Sequence, residues 1–131
     1  MLPSRMAESA SSRLTGLRAV IVEDEVLIGI LLAELLGELG CHVIANVTRV
    51  GKALELLKKE RPDFMLLDVN VGGEMSYQLA DALVERGIRF LFVTGYNSPS
   101  VLGKYKDHPR LEKPVAFQEL NDALLELMRA S

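Results

Sequence analysis

Short apolar runs alternate along this chain with longer segments whose apolar residues recur at helical spacing. The short runs are predicted strands, and they cover 17–23, 42–47, 63–68, 89–94 and 109–113; the first of them, "LRAVIVE", is also rich in β-branched residues. Predicted helices follow at 25–39, 48–61, 75–87 and 95–108, and a last one carries Phe117, Leu120, Leu124, Leu127 and Met128 on one face. The fourth helix is expected to be short or irregular, because Pro99 and Gly103 interrupt it.

The alternation of strand and helix predicts the fold class. Strands separated by helices favour an α/β protein with a parallel sheet covered on both faces. Right-handed crossovers leave few arrangements for five such units, and the doubly wound order 2-1-3-4-5 is the commonest of them. The 131 residues fit one domain, predicted over 17–131, and the polar, serine-rich residues 1–16 are predicted to be a flexible leader.

Charge and cysteine content narrow the classes of function. The chain has 15 basic and 18 acidic residues, and a net charge of −3 argues against nucleic acid or an anionic membrane as a partner. No apolar run reaches the length of a membrane span. The single cysteine, Cys41, cannot form an internal disulfide and is expected to be a small buried residue. We therefore expect a cytoplasmic protein.

Polar side chains follow four of the five predicted strands at the point where each strand ends. In chain order they are Glu23, Asp24, Asp68, Thr94 and Lys113. In open α/β sheets the ligand site lies beyond the carboxyl ends of the strands, at the switch point between strands 1 and 3. Taken singly, each residue has an ordinary explanation as a helix cap, a turn residue or a surface charge. Their joint placement predicts one shared pocket.

The chemistry of this pocket follows from its charges. Three carboxylates close together repel one another and stay ionised only if a cation joins them. Mg²⁺ suits the set, because it takes oxygen ligands and commonly binds one or two carboxylates together with phosphate. Metal, hydroxyl and ammonium around one carboxylate predict a phosphoryl-binding site with a nucleophile, since an aspartate can form an aspartyl phosphate.

Four segments together resemble the receiver domain of bacterial response regulators. They are "IVEDE" (21–25), "LLDVN" (66–70), "VTGY" (93–96) and "LEKPV" (111–115). The resemblance covers about residues 17–130 and implies a flavodoxin-like or CheY-like fold. It also implies that a histidine kinase or phosphotransfer protein donates the phosphoryl group, and that a downstream protein of unknown identity reads the result. The protein is then a monomer or a weak dimer.

The resemblance implies roles for the acidic residues. Asp68 is implied to accept the phosphoryl group. Asp24 is implied to bind Mg²⁺ directly, and Glu23 to support the metal through water. The backbone carbonyl of Asn70 completes the implied metal site. The protein would catalyse only its own phosphorylation and dephosphorylation, and it is therefore not expected to be an enzyme for other substrates.

The resemblance also implies roles for the residues on the other wall of the pocket. Thr94 is implied to bond one phosphoryl oxygen, and Lys113 to pair with another. The peptide bond between Lys113 and Pro114 is expected to be cis.

A narrower resemblance is to alphaproteobacterial single-domain regulators with a Phe-Ala-Thr-Gly-type motif on strand 4. It rests on "DVNVGGEMSYQLADAL" (68–83), "FLFVTGYNS" (90–98) and "PRLEKPV" (109–115), with Val93 in place of the alanine. One departure concerns the switch: Arg110 stands where most receivers carry an aromatic residue, and Tyr96 or Tyr105 is the expected substitute. A change of order in 95–108 is a further expectation.

The first predicted helix has more apolar residues than one buried stripe needs. Two interpretations stay open: a surface on which the kinase docks, or a helix wedged deeply in the core.

Three other functions remain open from the sequence. A haloacid-dehalogenase-type phosphatase also uses Asp, Thr, Lys and Mg²⁺, but it usually needs a second Asp where this chain has Asn70, and its nucleophile comes from the first strand. A flavodoxin-like cofactor binder would need a phosphate loop after strand 1, where "EDEVLIG" is acidic. A phosphorylation-independent binding module is the third.

Overall fold

Five parallel strands form the centre of the structure, a computed structural model that describes residues 13–95 and 103–129. The strands are β1 (Arg18–Val22), β2 (His42–Val47), β3 (Phe64–Asp68), β4 (Arg89–Thr94) and β5 (Arg110–Glu112). Their order in the sheet is β2-β1-β3-β4-β5, and all four neighbouring pairs are parallel. The predicted fold class and strand order 2-1-3-4-5 are therefore confirmed.

Four α-helices cover the two faces of the sheet. They are α1 (Val26–Glu38), α2 (Val50–Leu56), α3 (Tyr77–Arg86) and α4 (Phe117–Arg129). Helix α3 ends at Gly87, whose φ of 69° is the left-handed conformation that glycine adopts without strain. Helix α2 is preceded by Arg49, whose side chain makes no capping hydrogen bond. Across the described ranges, no helix combines the length and the apolar content needed to cross a bilayer.

The predicted fourth helix, 95–108, lies partly outside the described residues, since 96–102 are not described. Its described part contains one 3₁₀ turn, Gly103–Tyr105, and no α-helix between 103 and 108. For those residues the prediction of a short or irregular element is confirmed. Tyr96 and the "NSPSVL" segment after it lie outside the described residues.

The sheet separates two hydrophobic layers. Alternate residues of β1 face opposite sides, so Val20 and Val22 pack in one layer while Ala19 and Ile21 pack in the other. The α2–α3 layer contains helices α2 and α3 together with Tyr105. The α1–α4 layer contains the buried faces of α1 and α4. Strand β3 lies between them and is buried along its whole length.

The core begins earlier in the chain than the sequence indicates. The side chain of Leu14 is completely buried in the α1–α4 layer, and its carbonyl accepts the thiol of Cys41 at 3.4 Å. The amide of Gly16 donates to the carbonyl of Gly40 at 2.8 Å. Residues 13–16 of the predicted flexible leader are therefore packed against the core, and residues 1–12 of it lie outside the described residues. Cys41 is buried as predicted, and burial together with the charge of Asp63 raises the pKa of its thiol to about 11.

Candidate functional site

Three strand ends bring the predicted site residues to one rim of the sheet. β1 and β3 are neighbours, with Val22 opposite Leu67, so the next residues along each strand, Glu23 and Asp68, approach each other at the same edge. β5 ends beside Thr94 of β4, and this places Lys113 at the rim as well. The predicted convergence of the strand ends is thus present in the structure.

The acidic residues form a compact oxygen cluster. One carboxylate oxygen from each of Glu23, Asp24 and Asp68 lies within 4.8 Å of the others. Glu23 and Asp68 are buried, while Asp24 is exposed at the mouth. The buried Oε1 atom of Glu23 forms an ion pair with Lys113. A cluster of carboxylate oxygens of this kind fits Mg²⁺, which prefers oxygen ligands.

Lys113 is the cation that faces this cluster. Its Nζ donates to Oδ2 of Asp68 at 3.0 Å and lies 2.7 Å from Oε1 of Glu23. Both carboxylate contacts of Lys113 are therefore close ion pairs, and they place one ammonium between Glu23 and Asp68. Burial alone would lower the pKa of Lys113, but the contacts with Glu23 and Asp68 outweigh it and raise the pKa. Lys113 is therefore held in its charged form.

The pKa of Glu23 is also changed by its burial and by the charges around it. Burial raises the pKa of its carboxyl group to about 7, and the charge of Asp68 adds to the rise, while Lys113 and the amide of Glu25 oppose it. The Glu25 amide donates to Oε2 of Glu23 at 3.1 Å. Glu23 therefore titrates close to neutral pH as long as no further cation neutralises the cluster.

Thr94 reaches the same rim, but its hydroxyl is directed elsewhere. It donates to the carbonyl of Leu111 on β5 over a long distance of 3.4 Å. The backbone carbonyl of Thr94 accepts the amide of Lys113 at 2.8 Å, which ties β4 to the residue that supplies the site's cation. The bond between Lys113 and Pro114 is cis, as expected. Four predicted side chains therefore lie close together, those of Glu23, Asp24, Asp68 and Lys113. The Thr94 hydroxyl is instead bonded to the backbone of β5.

A short hairpin after β3 positions the residues next to Asp68. Its strands are Asn70–Val71 and Glu74–Met75, joined by Gly72 and Gly73 at φ values of 60° and 91°. The amide of Asn70 donates to Oδ1 of Asp68 at 3.3 Å, and the side chain of Asn70 accepts the amide of Gly73 at 2.9 Å. This hairpin was not predicted from the sequence, although two consecutive glycines are a turn signal.

Ser76 closes the loop that follows Asp68, and no role was predicted for it from the sequence. Its side chain is completely buried, and its hydroxyl donates to the carbonyl of Asp68 at 2.7 Å. A serine directly before a helix was a visible signal, since this residue type favours helix starts.

Helix α1 presents an apolar surface beside the site. Four large side chains are exposed on it: Val26, Leu27, Ile30 and Leu31. We call these four residues the α1 apolar patch. Beside the patch lies a cavity of about 400 Å³, bounded by α1 on one side and by Lys113, Pro114 and Val115 on the other. Only Gly29, Leu32 and Leu36 of this helix are buried, so the alternative of a helix wedged deeply in the core is wrong.

A cluster of aromatic rings lies on the opposite face of the sheet. Tyr105 is only 6% exposed and packs against Tyr77, Phe90, Phe92 and His108 at ring-centroid distances of about 6 Å. We call these five residues the aromatic cluster.

Tyr105 is also tied to α3 through its phenol. The hydroxyl donates to Oδ1 of Asp81 at 2.6 Å, and Nζ of Lys104 lies 2.9 Å from the same oxygen. Burial and this carboxylate raise the pKa of Tyr105 to about 12. Arg110 is exposed and donates to the carbonyl of Lys106, so the side chain at that position does not enter the core.

Comparison with known proteins gives a consistent result. A family model described as "Response regulator receiver domain" matches residues 19–125. Sporulation initiation phosphotransferase F of Bacillus subtilis (strain 168) is 28% identical over 112 residues, which cover 82% of this chain and 90% of that protein. The solution structure of SdrG from Sphingomonas melonis Fr1 aligns with a TM-score of 0.78 and 34% identity over 88% of this chain and 98% of that one. The BeF3-activated conformation of SdrG from Pseudomonas melonis Fr1 aligns with a TM-score of 0.74 and 38% identity, covering 85% and 95% of the two chains.

Proposed function

This chain belongs to the response regulator receiver domain family, and we propose that it accepts a phosphoryl group on Asp68 in a magnesium-dependent reaction. The observation that carries the proposal is the setting of the Asp68 carboxylate. It is 5% exposed, is bonded by Lys113 on one oxygen and by the amide of Asn70 on the other, and lies within 4.8 Å of two more carboxylates. Asp68 is thus an oriented nucleophile in a site that favours added positive charge.

The residues around Asp68 have separate proposed roles in phosphoryl transfer. Glu23, Asp24, Asp68 and the carbonyl of Asn70 would hold Mg²⁺, which when bound neutralises charge on the phosphoryl oxygens. An oxygen of Asp68 forms the new bond to phosphorus while the bond from phosphorus to the donor's imidazole nitrogen breaks. Lys113, already beside Asp68, pairs with a phosphoryl oxygen.

Thr94 is proposed to complete the phosphoryl contacts by turning its hydroxyl. The bond from this hydroxyl to the carbonyl of Leu111 is long at 3.4 Å, and giving it up therefore costs little. After the turn, the hydroxyl donates to a phosphoryl oxygen. The domain catalyses its own phosphorylation and dephosphorylation in this way.

The test is phosphorylation of the full chain by acetyl phosphate, followed by intact mass. With Mg²⁺ present, we expect the mass increment of one phosphoryl group. With Mg²⁺ removed by a chelator, incorporation should fall at least ~100-fold, because the charge of the cluster is then not neutralised. Equal incorporation with and without the metal would contradict the proposal and favour a phosphorylation-independent binding module.

The phosphatase alternative is disfavoured by the position of Asn70. A haloacid-dehalogenase-type enzyme needs an acid/base group two residues after its nucleophile, and the Asn70 side chain instead accepts the amide of Gly73. Asp68 also ends the third strand in the chain, not the first. Turnover of a small phosphate ester such as p-nitrophenyl phosphate at enzymatic rates would reverse this conclusion.

Receiver domains interact with histidine kinases or phosphotransfer proteins, and we propose that the donor docks on the α1 apolar patch. The exposed side chains of Leu27 and Leu31 are 76% and 58% accessible, which is unusual for leucines unless a partner covers them. The adjoining cavity reaches Lys113, so a partner seated on the patch delivers its phosphohistidine directly to the acidic cluster.

The double variant Leu27→Ser, Leu31→Ser is expected to slow phosphotransfer from a phosphorylated histidine-containing donor about tenfold or more. A loss of this size is typical when interface anchors are removed. Phosphorylation by acetyl phosphate should be unchanged, because this small donor needs no docking surface. Val84→Ser is the matched control, since Val84 is 59% exposed but lies on α3. Equal slowing by Val84→Ser, or no slowing by the double variant, would place the docking surface elsewhere.

For the response to phosphorylation, we propose that Tyr105 serves where other receivers use an aromatic on β5. Tyr105 is buried in the described part of the segment that follows β4, and it contacts Phe92, two residues before Thr94. Arg110 is exposed and therefore unsuited to this role. A downstream protein would then read the position of the segment carrying Tyr105.

A cytoplasmic location is also proposed, since the buried free thiol of Cys41 fits a reducing compartment.

A further inference from the structure

Ser76 has a hydroxyl group in a place where a polar group is costly. Its side chain is completely buried, whereas most serines are exposed. A buried hydroxyl without a hydrogen-bond partner destabilises a protein, so the bonds of the Ser76 hydroxyl indicate why it is there. The hydroxyl donates to the carbonyl of Asp68 at 2.7 Å and lies 3.3 Å from the carbonyl of Val69. Both partners belong to the phosphoacceptor and its neighbour.

The position of Ser76 before α3 suggests a helix cap, but its contacts are different. A capping serine accepts a hydrogen bond from an amide in the first turn of the helix, with its own backbone extended. Ser76 has φ −87° and ψ 14° and makes no such side-chain bond. Its hydroxyl points backward, to the end of β3. The side chain therefore ties the start of α3 to Asp68 and does not cap the helix.

The tie closes a nine-residue loop from 68 to 76. The amide of Ser76 donates to the carbonyl of Val69 at 2.9 Å, so backbone and side chain of Ser76 hold the same corner. Inside the loop, the Asn70 amide donates to Asp68 and the Asn70 side chain fixes Gly73. The Asp68 carboxylate and the Asn70 carbonyl, two proposed metal ligands, are thus both supported by one closed frame.

We infer that Ser76 is a positioning residue for the magnesium site and the phosphoacceptor, acting through its hydrogen bond to the carbonyl of Asp68. The inference rests on the proposed function, since it concerns the same Asp68. Mg²⁺ demands near-ideal octahedral geometry, so a small shift of two ligands weakens its binding. Loss of an outer support of this kind typically reduces metal affinity 10–100-fold.

The experiment measures Mg²⁺ binding to the full chain by calorimetry, with no phosphodonor present. Ser76→Ala is expected to raise the Kd for Mg²⁺ about tenfold, and Ser76→Cys, which keeps a weak donor of similar shape, should give a smaller increase. Amide hydrogen exchange at Asn70 and Gly73 in the metal-free protein should speed up in Ser76→Ala, because the frame opens.

Leu124→Ala is the control for stability. Leu124 is completely buried on α4, in the layer away from α3, so its truncation destabilises the fold without touching the loop from 68 to 76. Its Kd for Mg²⁺ should equal that of the wild type. An unchanged Kd in folded Ser76→Ala, or an equal rise in Leu124→Ala, would overturn the inference and leave the proposed function standing. A wild-type chain that neither binds Mg²⁺ nor becomes phosphorylated would overturn both.

Discussion

Asp68→Asn should abolish phosphorylation by acetyl phosphate, so that no mass increment is detected under conditions that label the wild type fully. Asparagine has nearly the same shape as aspartate, but its amide carries no negative charge and is not a nucleophile toward phosphorus. Within the described residues the only other buried carboxylate is Glu23, and burial raises its pKa to about 7, which favours the protonated form that is a poor nucleophile. Complete loss is therefore the expected result.

The control for this variant is Asp107→Asn, which removes an exposed carboxylate from the segment before β5. It should be phosphorylated like the wild type. Asp68→Asn should also keep its fold, since the loss of one of three mutually repelling carboxylates relieves strain in the cluster. Labelling of Asp68→Asn at full stoichiometry would show that the phosphoacceptor is a different residue.

Lys113→Ala is expected to slow phosphorylation by acetyl phosphate about 100-fold, the usual effect of removing one group that stabilises charge in the transition state. Lys113 lies 3.0 Å from Asp68 and is held charged by its two carboxylate neighbours. The exposed Lys106 offers a control, because Lys106→Ala changes the net charge equally without touching the cluster. Equal rates in both variants would show that Lys113 takes no part in the reaction.

The same variant should change stability in a pH-dependent way. The pKa of Glu23 is raised from 4.5 to about 7 in the folded protein, so the native state holds a proton that the unfolded chain has lost in this window. The corresponding contribution to stability is complete below about pH 4.5 and is lost as the pH rises through about 7. Lys113 lowers the pKa of Glu23, so removing Lys113 raises that pKa further. The decrease in stability with rising pH then continues to higher pH.

Chemical denaturation of Lys113→Ala and of the wild type at several pH values measures this effect. The variant should be less stable by roughly 2 kcal/mol at alkaline pH, the value of a hydrogen bond to a charged group, and the difference should shrink on acidification. A difference that grows as the pH falls would contradict the assignment of Glu23 as the group that titrates.

The fold was predictable because its signals are periodic and repeated. Short runs between helical segments predicted all five strands, and the glycine at position 87 marked the end of α3, where the structure shows a positive φ. Leu14 was not predictable, because a single apolar residue between polar neighbours has no period. The exposed face of α1 was also not predictable, since that helix is apolar on nearly all sides and its pattern does not indicate which face is covered.

The acidic part of the site was predictable for a different reason. Parallel strands end at one rim, so Glu23, Asp68 and Lys113 converge from strand order alone. The direction of the Thr94 hydroxyl depends on a side-chain rotation that strand order does not determine. The role of Ser76 depends on a hairpin whose shape brings residues 68 and 76 together, and sequence spacing alone does not show that contact.

The division of the interior by the sheet has a consequence for how such a protein can diversify. The α1 apolar patch lies on the helix that covers one layer, while the aromatic cluster packs against the other layer, and β3 and β4 stand between them. Substitutions in the patch, the proposed docking surface, therefore leave the packing around Tyr105 intact. Duplicated copies of this chain could then acquire different docking surfaces by surface substitutions alone, while each copy keeps the same aromatic packing.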